Sequence, residues 1–314
     1  MQNWMALLPA SKHEADDASA PTWQPLDVRP LGWWALQFTP RVAQLEEAVV
    51  LECHASERLF GGREALRGRL VKGAQAQGVA AWAFASNALA ALCVARHRLA
   101  QGGTQADDAN THTTEQMLKG LPFTTLSALR PHAGTLARLG CRTLGEVRAL
   151  PRDGLARRFG ADLLNALDQA YGQRAGSHPW VSLPERFEHR LECPSAVEHA
   201  QGLLFGAQRL LNALLVWLAA RQSGVLAFTL HWEHDRVRRS ELRGGQVALR
   251  TAHATRDMAH LTRLLAEHLA RTTLAAPATA LRLVADEVAP LPTTSLSLLP
   301  GERPVGGEAG IVHL

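Results

Sequence analysis

Two stretches of this 314-residue chain carry residue types at spacings that could do chemistry. The first, Val50 to Gly62, reads VLECHASERLFGG. Glu52 and Glu57 flank a small-residue turn, Ala55-Ser56, and carboxylates brought together by such a turn hold divalent cations. Arg58 follows Glu57 where a metal site would take a second anion, and its charge repels a cation. Glu57 and Arg58 therefore read as degenerate active-site positions, with no catalytic residue, metal or cofactor expected. Glu46, Glu47 and Glu52 remain nearby, each more simply a solvated or paired surface carboxylate.

The second stretch, Leu136 to Val147, reads LARLGCRTLGEV. It has the form helix, hydrophobic-Gly-hydrophobic turn, helix, which is a helix-hairpin-helix. Gly140 lets the backbone turn tightly, and Thr143 with Glu146 forms a capping box. The amides that open the second helix are expected to face a DNA phosphate, a contact that fixes position without reading sequence. Arg138, Arg142, Arg148, Arg152, Arg157 and Arg158 surround the hairpin. Residues 119–190 carry 11 cations against 6 anions, a local excess of 5 that exceeds the net +4 of the whole chain. The expected DNA-binding set is Arg138, Gly140, Arg142, Thr143, Arg148, Arg157 and Arg158. An ordinary helical turn with solvated arginines is the weaker alternative.

The elements that must position these residues follow from periodicity and punctuation. A first strand at 4–8 leads through a polar, proline-rich loop at 13–30 to a helix at 32–38, ended by Pro40. A strand at 48–54, a helix at 63–72, a strand at 79–85 and a helix at 87–98 come next, then a loop at 101–113. From Pro122 the chain changes to short helices with tight turns, in which Asp153 is expected to cap one helix and Gly160 to close it. A linker at 176–184 precedes a strand at 187–191 and a long amphipathic helix near 199–222. Leu226, Phe228, Leu230 and Trp232 alternate on one face of a strand. Strands near 238–243, 246–252 and 279–288, with a helix near 257–273, complete an α+β sheet with helices on one side.

Composition bounds the class. Hydrophobic residues make up 46% and charged residues 20%, an ordinary globular balance. Almost all cations are Arg, with Lys only at 12, 72 and 119. Arginine suits phosphates held in a fixed fork, and a GC-rich genome explains the same bias equally well. Cys53, Cys93, Cys141 and Cys193 are too far apart for a zinc motif and are expected to be reduced thiols of a cytoplasmic protein. The opening MQNWMALLPASK lacks the basic start and long apolar core of a signal peptide. The uncharged run 73–95 is alanine-rich and contains Gln75, Gln77, Ser86 and Asn87, so it reads as a buried strand and helix rather than a membrane span.

These motifs together resemble the Y-family translesion DNA polymerases. Glu52 to Phe60 is similar to their palm segment, whose active members carry a Ser-Ile-Asp-Glu turn. Ser86-Asn87-Ala-Leu-Ala-Ala91 resembles their Ser-x-Asn-Lys-x-x-Ala-Lys helix with both lysines replaced by Ala. The helix-hairpin-helix is similar to the family's thumb, and residues 181–290 to its little finger. Within the family, TPRV at 39–42, ERLFGG at 57–62 and TLGEVRALPRDGLARRFG at 143–160 look most like the noncatalytic ImuB branch. The resemblance covers residues 31–290. It implies a truncated palm at 1–121, a thumb at 122–180, a little finger at 181–290 and a flexible tail at 291–314. The family's first-strand aspartates have no counterpart in Trp4-Met-Ala-Leu-Leu-Pro9. About twenty residues separate that strand from the next helix, which leaves no room for a fingers subdomain.

The function so implied is a noncatalytic DNA-binding adaptor of damage-induced translesion synthesis. Its implied partners are DNA, the β sliding clamp, an ImuA-like protein and an error-prone C-family DNA polymerase. Thr294-Ser-Leu-Ser-Leu-Leu-Pro300 resembles a clamp-docking peptide, with Ser295, Leu296, Leu298 and Leu299 as its anchors. A residual polymerase using Glu52 and Glu57 is one alternative. A helix-hairpin-helix module with no role in lesion bypass is the other.

Overall fold

The computed structural model describes residues 3–9, 28–103, 113–234 and 244–291. Its first sheet is antiparallel and has the order β2-β3-β1-β4, from β1 (Trp4–Pro9), β2 (Val42–Leu45), β3 (Ala48–Glu52) and β4 (Val79–Ala85). Both faces are covered, so the strands read as apolar runs rather than alternating ones. Met5, Leu7, Val49, Leu51 and Phe84 face α1 (Arg29–Ala35) and α2 (Arg63–Ala76). Ala6, Leu8, Val50 and Ala83 face α3 (Ala88–Ala100). Alanines on both sides of that second interface let α3 lie close to the sheet.

The same buried cluster continues from α3 into five short helices: α4 (Thr114–Lys119), α5 (Ala133–Arg138), α6 (Leu144–Ala149), α7 (Arg152–Phe159) and α8 (Ala161–Ala170). Leu118, Leu136, Leu144, Val147 and Leu167 are its interior residues. Gly145 is required where α6 crosses α4, because a Cβ there would lie 2.8 Å from the Lys119 carbonyl oxygen.

The second sheet is antiparallel with the order β5-β8-β6-β7, from β5 (Glu188–Val197), β6 (Ser223–His234), β7 (Gly244–Thr255) and β8 (Ala278–Pro290). Helices α9 (Leu203–Ala220) and α10 (Met258–Leu269) share its core. By length and composition α9 could cross a membrane, yet Leu203, Leu210, Leu214 and Leu218 are buried against this sheet, as in a core helix. Trp33 of α1 enters the same core, with its ring 6.0 Å from that of Phe187.

Several boundaries differ from expectation for local reasons. Helix α1 starts earlier, at Arg29, because Pro30 occupies its first turn, and it ends at Ala35, before Pro40. β3 stops at Glu52, whose carboxylate accepts from the His54 amide at 3.0 Å and turns the chain into a tight helix over His54–Phe60. Asp153 does not cap α7; Pro151 takes the cap position and Asp153 lies in the first turn. A bulge near Val225–Ala227 puts Val225 in the core and leaves Leu226 only partly buried, while Phe228, Leu230 and Trp232 point inward as expected. β2 and α4 were not foreseen. The strand expected at 238–243 lies outside the described residues.

Candidate nucleic-acid interface and the acidic turn

The hairpin is built as its sequence dictates. Gly140 has φ +82°, and the Cys141 amide closes the turn on the Leu136 carbonyl at 3.0 Å. Thr143 and Glu146 form the capping box: Glu146 N–H donates to Thr143 Oγ1 at 3.2 Å, and the Glu146 carboxylate accepts from Thr143 N at 2.9 Å. The same Oε2 also accepts from Arg142 N at 2.6 Å. Those two backbone donors hold the Glu146 carboxyl below the usual carboxylate range. Leu144 N–H donates to the Leu121 carbonyl at 2.8 Å.

Most of the amides expected to face a phosphate are bonded within the chain. The amides of Arg142, Thr143, Leu144 and Glu146 already have acceptors. A carboxylate, not an open donor nest, stands at the start of α6.

The arginines divide into two sets. Arg148 is turned inward: its Nη1 donates to Glu115 at 2.7 Å and its guanidinium lies 4.0 Å from the Tyr171 ring centroid. Arg152 holds Asp168 through two bonds of 2.8 Å, which depress the Asp168 carboxyl. Arg138, Arg142, Arg157 and Arg158 are exposed. Arg138 contacts Thr135 Oγ1 and Arg157 the Asp153 carbonyl, and none of the four is ion-paired to a carboxylate among the described residues. Leu139 stands 46% exposed at the hairpin tip between Arg138 and Arg142. The chain thus brings Arg138, Gly140, Arg142 and Thr143 onto one hairpin, adds Arg157 and Arg158 from α7, and spends Arg148 on internal packing.

The acidic residues are arranged differently from the expectation. Glu57 lies beside the start of β1: its Oε1 accepts from Asn3 Nδ2 at 3.0 Å, and His54 Nδ1 and Arg63 Nε stand 3.3 and 3.5 Å from its oxygens. The side chains facing Glu57 are therefore Asn3, His54 and Arg63, whereas Arg58 is exposed and without an ion pair among the described residues. Consecutive carboxylates occur at the other end of the sheet, in the β2–β3 turn. There Glu46 adopts φ +53° and Leu45 pairs with Ala48. The register Leu7↔Val49 sets this turn next to Leu8–Pro9, the end of β1.

Arg96 of α3 closes that turn. Its Nε and Nη2 donate to the two Glu47 oxygens at 2.7 Å each, and Nη2 also reaches Glu46 Oε2 at 2.6 Å. Nη1 donates to the Thr125 carbonyl at 2.7 Å, and Ser127 Oγ donates to Glu46 Oε2. The Arg96 side chain is only 7% exposed. Burial raises the Glu47 pKa, but the Arg96 hydrogen bonds and charge outweigh it and leave that carboxyl below its ordinary value. A guanidinium thus bridges the two adjacent carboxylates. Among the described residues no three His, Cys, Asp or Glu side chains gather as a metal site.

No family model matches the chain. Protein ImuB of Caulobacter vibrioides, in each of two strains, is 31% identical over 163 residues, which is 49% of this chain and 35% of the relative. Over that stretch the chain is similar to ImuB, and it matches about a third of the length of these curated relatives. Among solved structures, a Dbh ternary complex aligns with TM-score 0.38 at 12% identity, covering 82% of this chain and 76% of that one. DinB from Sulfolobus solfataricus aligns with TM-score 0.36 at 14% identity, covering 82% and 75%.

The ion-paired triad of Glu46, Glu47 and Arg96 was not foreseen as a unit. Its only sequence signal is two consecutive carboxylates before an apolar strand, because Arg96 comes about fifty residues later. Ser295, Leu296, Leu298 and Leu299 lie outside the described residues.

Proposed function

We propose that the chain is a noncatalytic, DNA-binding adaptor of the Y-family type that acts in translesion synthesis and mutagenic DNA repair. One observation carries this reading: the buried Arg96 guanidinium occupies the Glu46–Glu47 pair that adjoins the end of the first strand. Two-metal nucleotidyl transfer needs such carboxylates free to hold cations. Removing Arg96 from them costs its hydrogen bonds and exposes a buried charge, so a metal competes poorly. Trp4–Pro9 adds no acidic residue to the turn. The exposed, carboxylate-free arginines Arg138, Arg142, Arg157 and Arg158 support phosphate binding. The likeness to ImuB supports a place in damage tolerance.

In this reading the partners are DNA, a β sliding clamp reached through residues 294–300, an ImuA-like protein and a C-family polymerase that performs synthesis. The test is equilibrium binding of duplexes of unrelated sequence across a salt series. Binding is expected to be sequence-tolerant and to weaken steeply with salt as counterions are released. Absence of DNA binding at low salt would contradict the reading. Co-purification of the clamp and a C-family polymerase from damage-treated cells separates the adaptor from a bare helix-hairpin-helix module.

A further inference from the structure

The segment between α8 and β5 carries an aromatic cluster that the proposed DNA surface does not use. It crosses the free edge of β2, where Trp180 bridges Ala43 and the Val181 amide donates to the Val42 carbonyl at 2.7 Å. The Trp180 ring stacks over Trp4 at 17° and 6.2 Å, and His178 contacts both, 5.2 Å from Trp4 and 6.3 Å from Trp180. Trp4 is 7% exposed and Trp180 50%. One face of the Trp180 indole is therefore backed by rings and its backbone is pinned to a sheet, while half of its surface meets solvent. Such a π surface is ordered before any ligand arrives.

Three features give the cluster a ligand chemistry. His178 also lines a cavity of about 170 Å³ whose other walls include Leu45, Glu46, Asn87 and Gln169, so polar side chains adjoin the rings. The Trp4 indole N–H is buried and has no hydrogen-bond partner among the described residues. Arg41, 58% exposed, lies 3.8 Å from Glu52, the register partner of Trp4. Rings, polar edge groups and a nearby accessible guanidinium match the three parts of a nucleotide: base face, base edge and phosphate. An apolar peptide side chain would use only the first.

We propose that Trp180, with Trp4, His178 and the adjoining cavity, holds one unpaired nucleobase of single-stranded nucleic acid, with its phosphate near Arg41. A single strand offers its base faces for stacking, whereas a duplex has them already stacked, so the site discriminates between the two. The proposal rests on the DNA-binding reading above and assigns a second contact to it.

The experiment compares binding of labelled oligothymidylate and of a labelled duplex to the whole protein, to Trp180→Ala, Trp180→Phe and Arg142→Ala. Because Trp180 is half exposed, its truncation is not expected to unfold the chain, which thermal melting verifies. Trp180→Ala should weaken single-strand binding about tenfold and leave duplex binding as in the parent, and Trp180→Phe should restore most of the loss. Unchanged single-strand affinity in Trp180→Ala, while Arg142→Ala still weakens both ligands, overturns the stacking site and leaves the proposed function standing. Equal loss on both ligands in Trp180→Ala overturns it too. Binding of neither ligand by the parent removes the proposed function along with it.

Discussion

The β2–β3 turn and the α5–α6 hairpin both carry clustered charge, and they dispose of it in opposite ways. At the turn, Glu46 and Glu47 are held by a guanidinium that is 7% exposed and bonded on every nitrogen. At the hairpin, Arg138 and Arg142 stand in solvent with no ion-paired carboxylate among the described residues. Charge matched internally contributes to folding; charge left in solvent is open to an outside partner. Arg148 and Arg152, a few residues along the same stretch, belong with the first kind, since Glu115 and Asp168 already hold them.

Removing the buried partner should give the largest effect. Arg96→Ala strips four hydrogen bonds, leaving Glu47 without its guanidinium donor and Glu46 with Ser127 alone. Glu46 and Glu47 keep partial access to water, 37% and 49% exposed, so the loss should be about 2–3 kcal/mol, toward the low end for a broken buried pair. Chemical denaturation measures it; a change below about 0.5 kcal/mol, the range of ordinary surface changes, would place Arg96 with the solvated arginines.

The hairpin arginines should respond the other way round. Arg142→Ala and Arg157→Ala are expected to leave stability within about 0.5 kcal/mol and to weaken DNA binding for all sequences alike. Each should flatten the salt slope by up to ~1. Arg148→Ala should lower stability by about 1 kcal/mol through the lost Tyr171 and Glu115 contacts and leave the salt slope unchanged. A salt slope altered only by Arg148→Ala would reverse the division between the two sets.

A smaller effect concerns Glu146, which occupies the hairpin amides. Its pKa is depressed in the folded chain, so the stability it contributes is complete above the ordinary carboxylate range and is lost as pH falls through the depressed value. Thermal melting from neutral to acid pH should show the parent losing stability that Glu146→Gln has already lost. Removing this anion should also tighten DNA binding at the hairpin. Weaker binding by Glu146→Gln with an intact fold would show the capping box to be needed more than its charge is resented. The smallest expected signal is from thiols: burial pushes Cys53 and Cys93 up to about 12, so alkylation at neutral pH should be slow until the protein unfolds.

What could be read from the sequence was local. Val79–Ala85 is an uninterrupted apolar run and forms the strand expected there. Thr143 and Glu146 are three residues apart, so their reciprocal capping follows from the residues alone. The Arg96 contacts span 49 and 50 residues and depend on α3 packing against the β2–β3 turn, which no local pattern encodes. β2 is four residues long and exists because Glu46 turns with positive φ, a conformation its sequence does not announce. Leu226 missed the core through a bulge, which shifts alternation by one residue and leaves no compositional trace.

Primer extension by the purified protein, with DNA binding followed in the same sample, is the decisive measurement. With Mg²⁺ or Mn²⁺ and a primed template, the account predicts binding through the exposed arginines and no nucleotide incorporation, because Arg96 already holds Glu46 and Glu47. Metal-dependent incorporation that disappears in a Glu46→Gln/Glu47→Gln variant, or in Glu57→Ala, would contradict it.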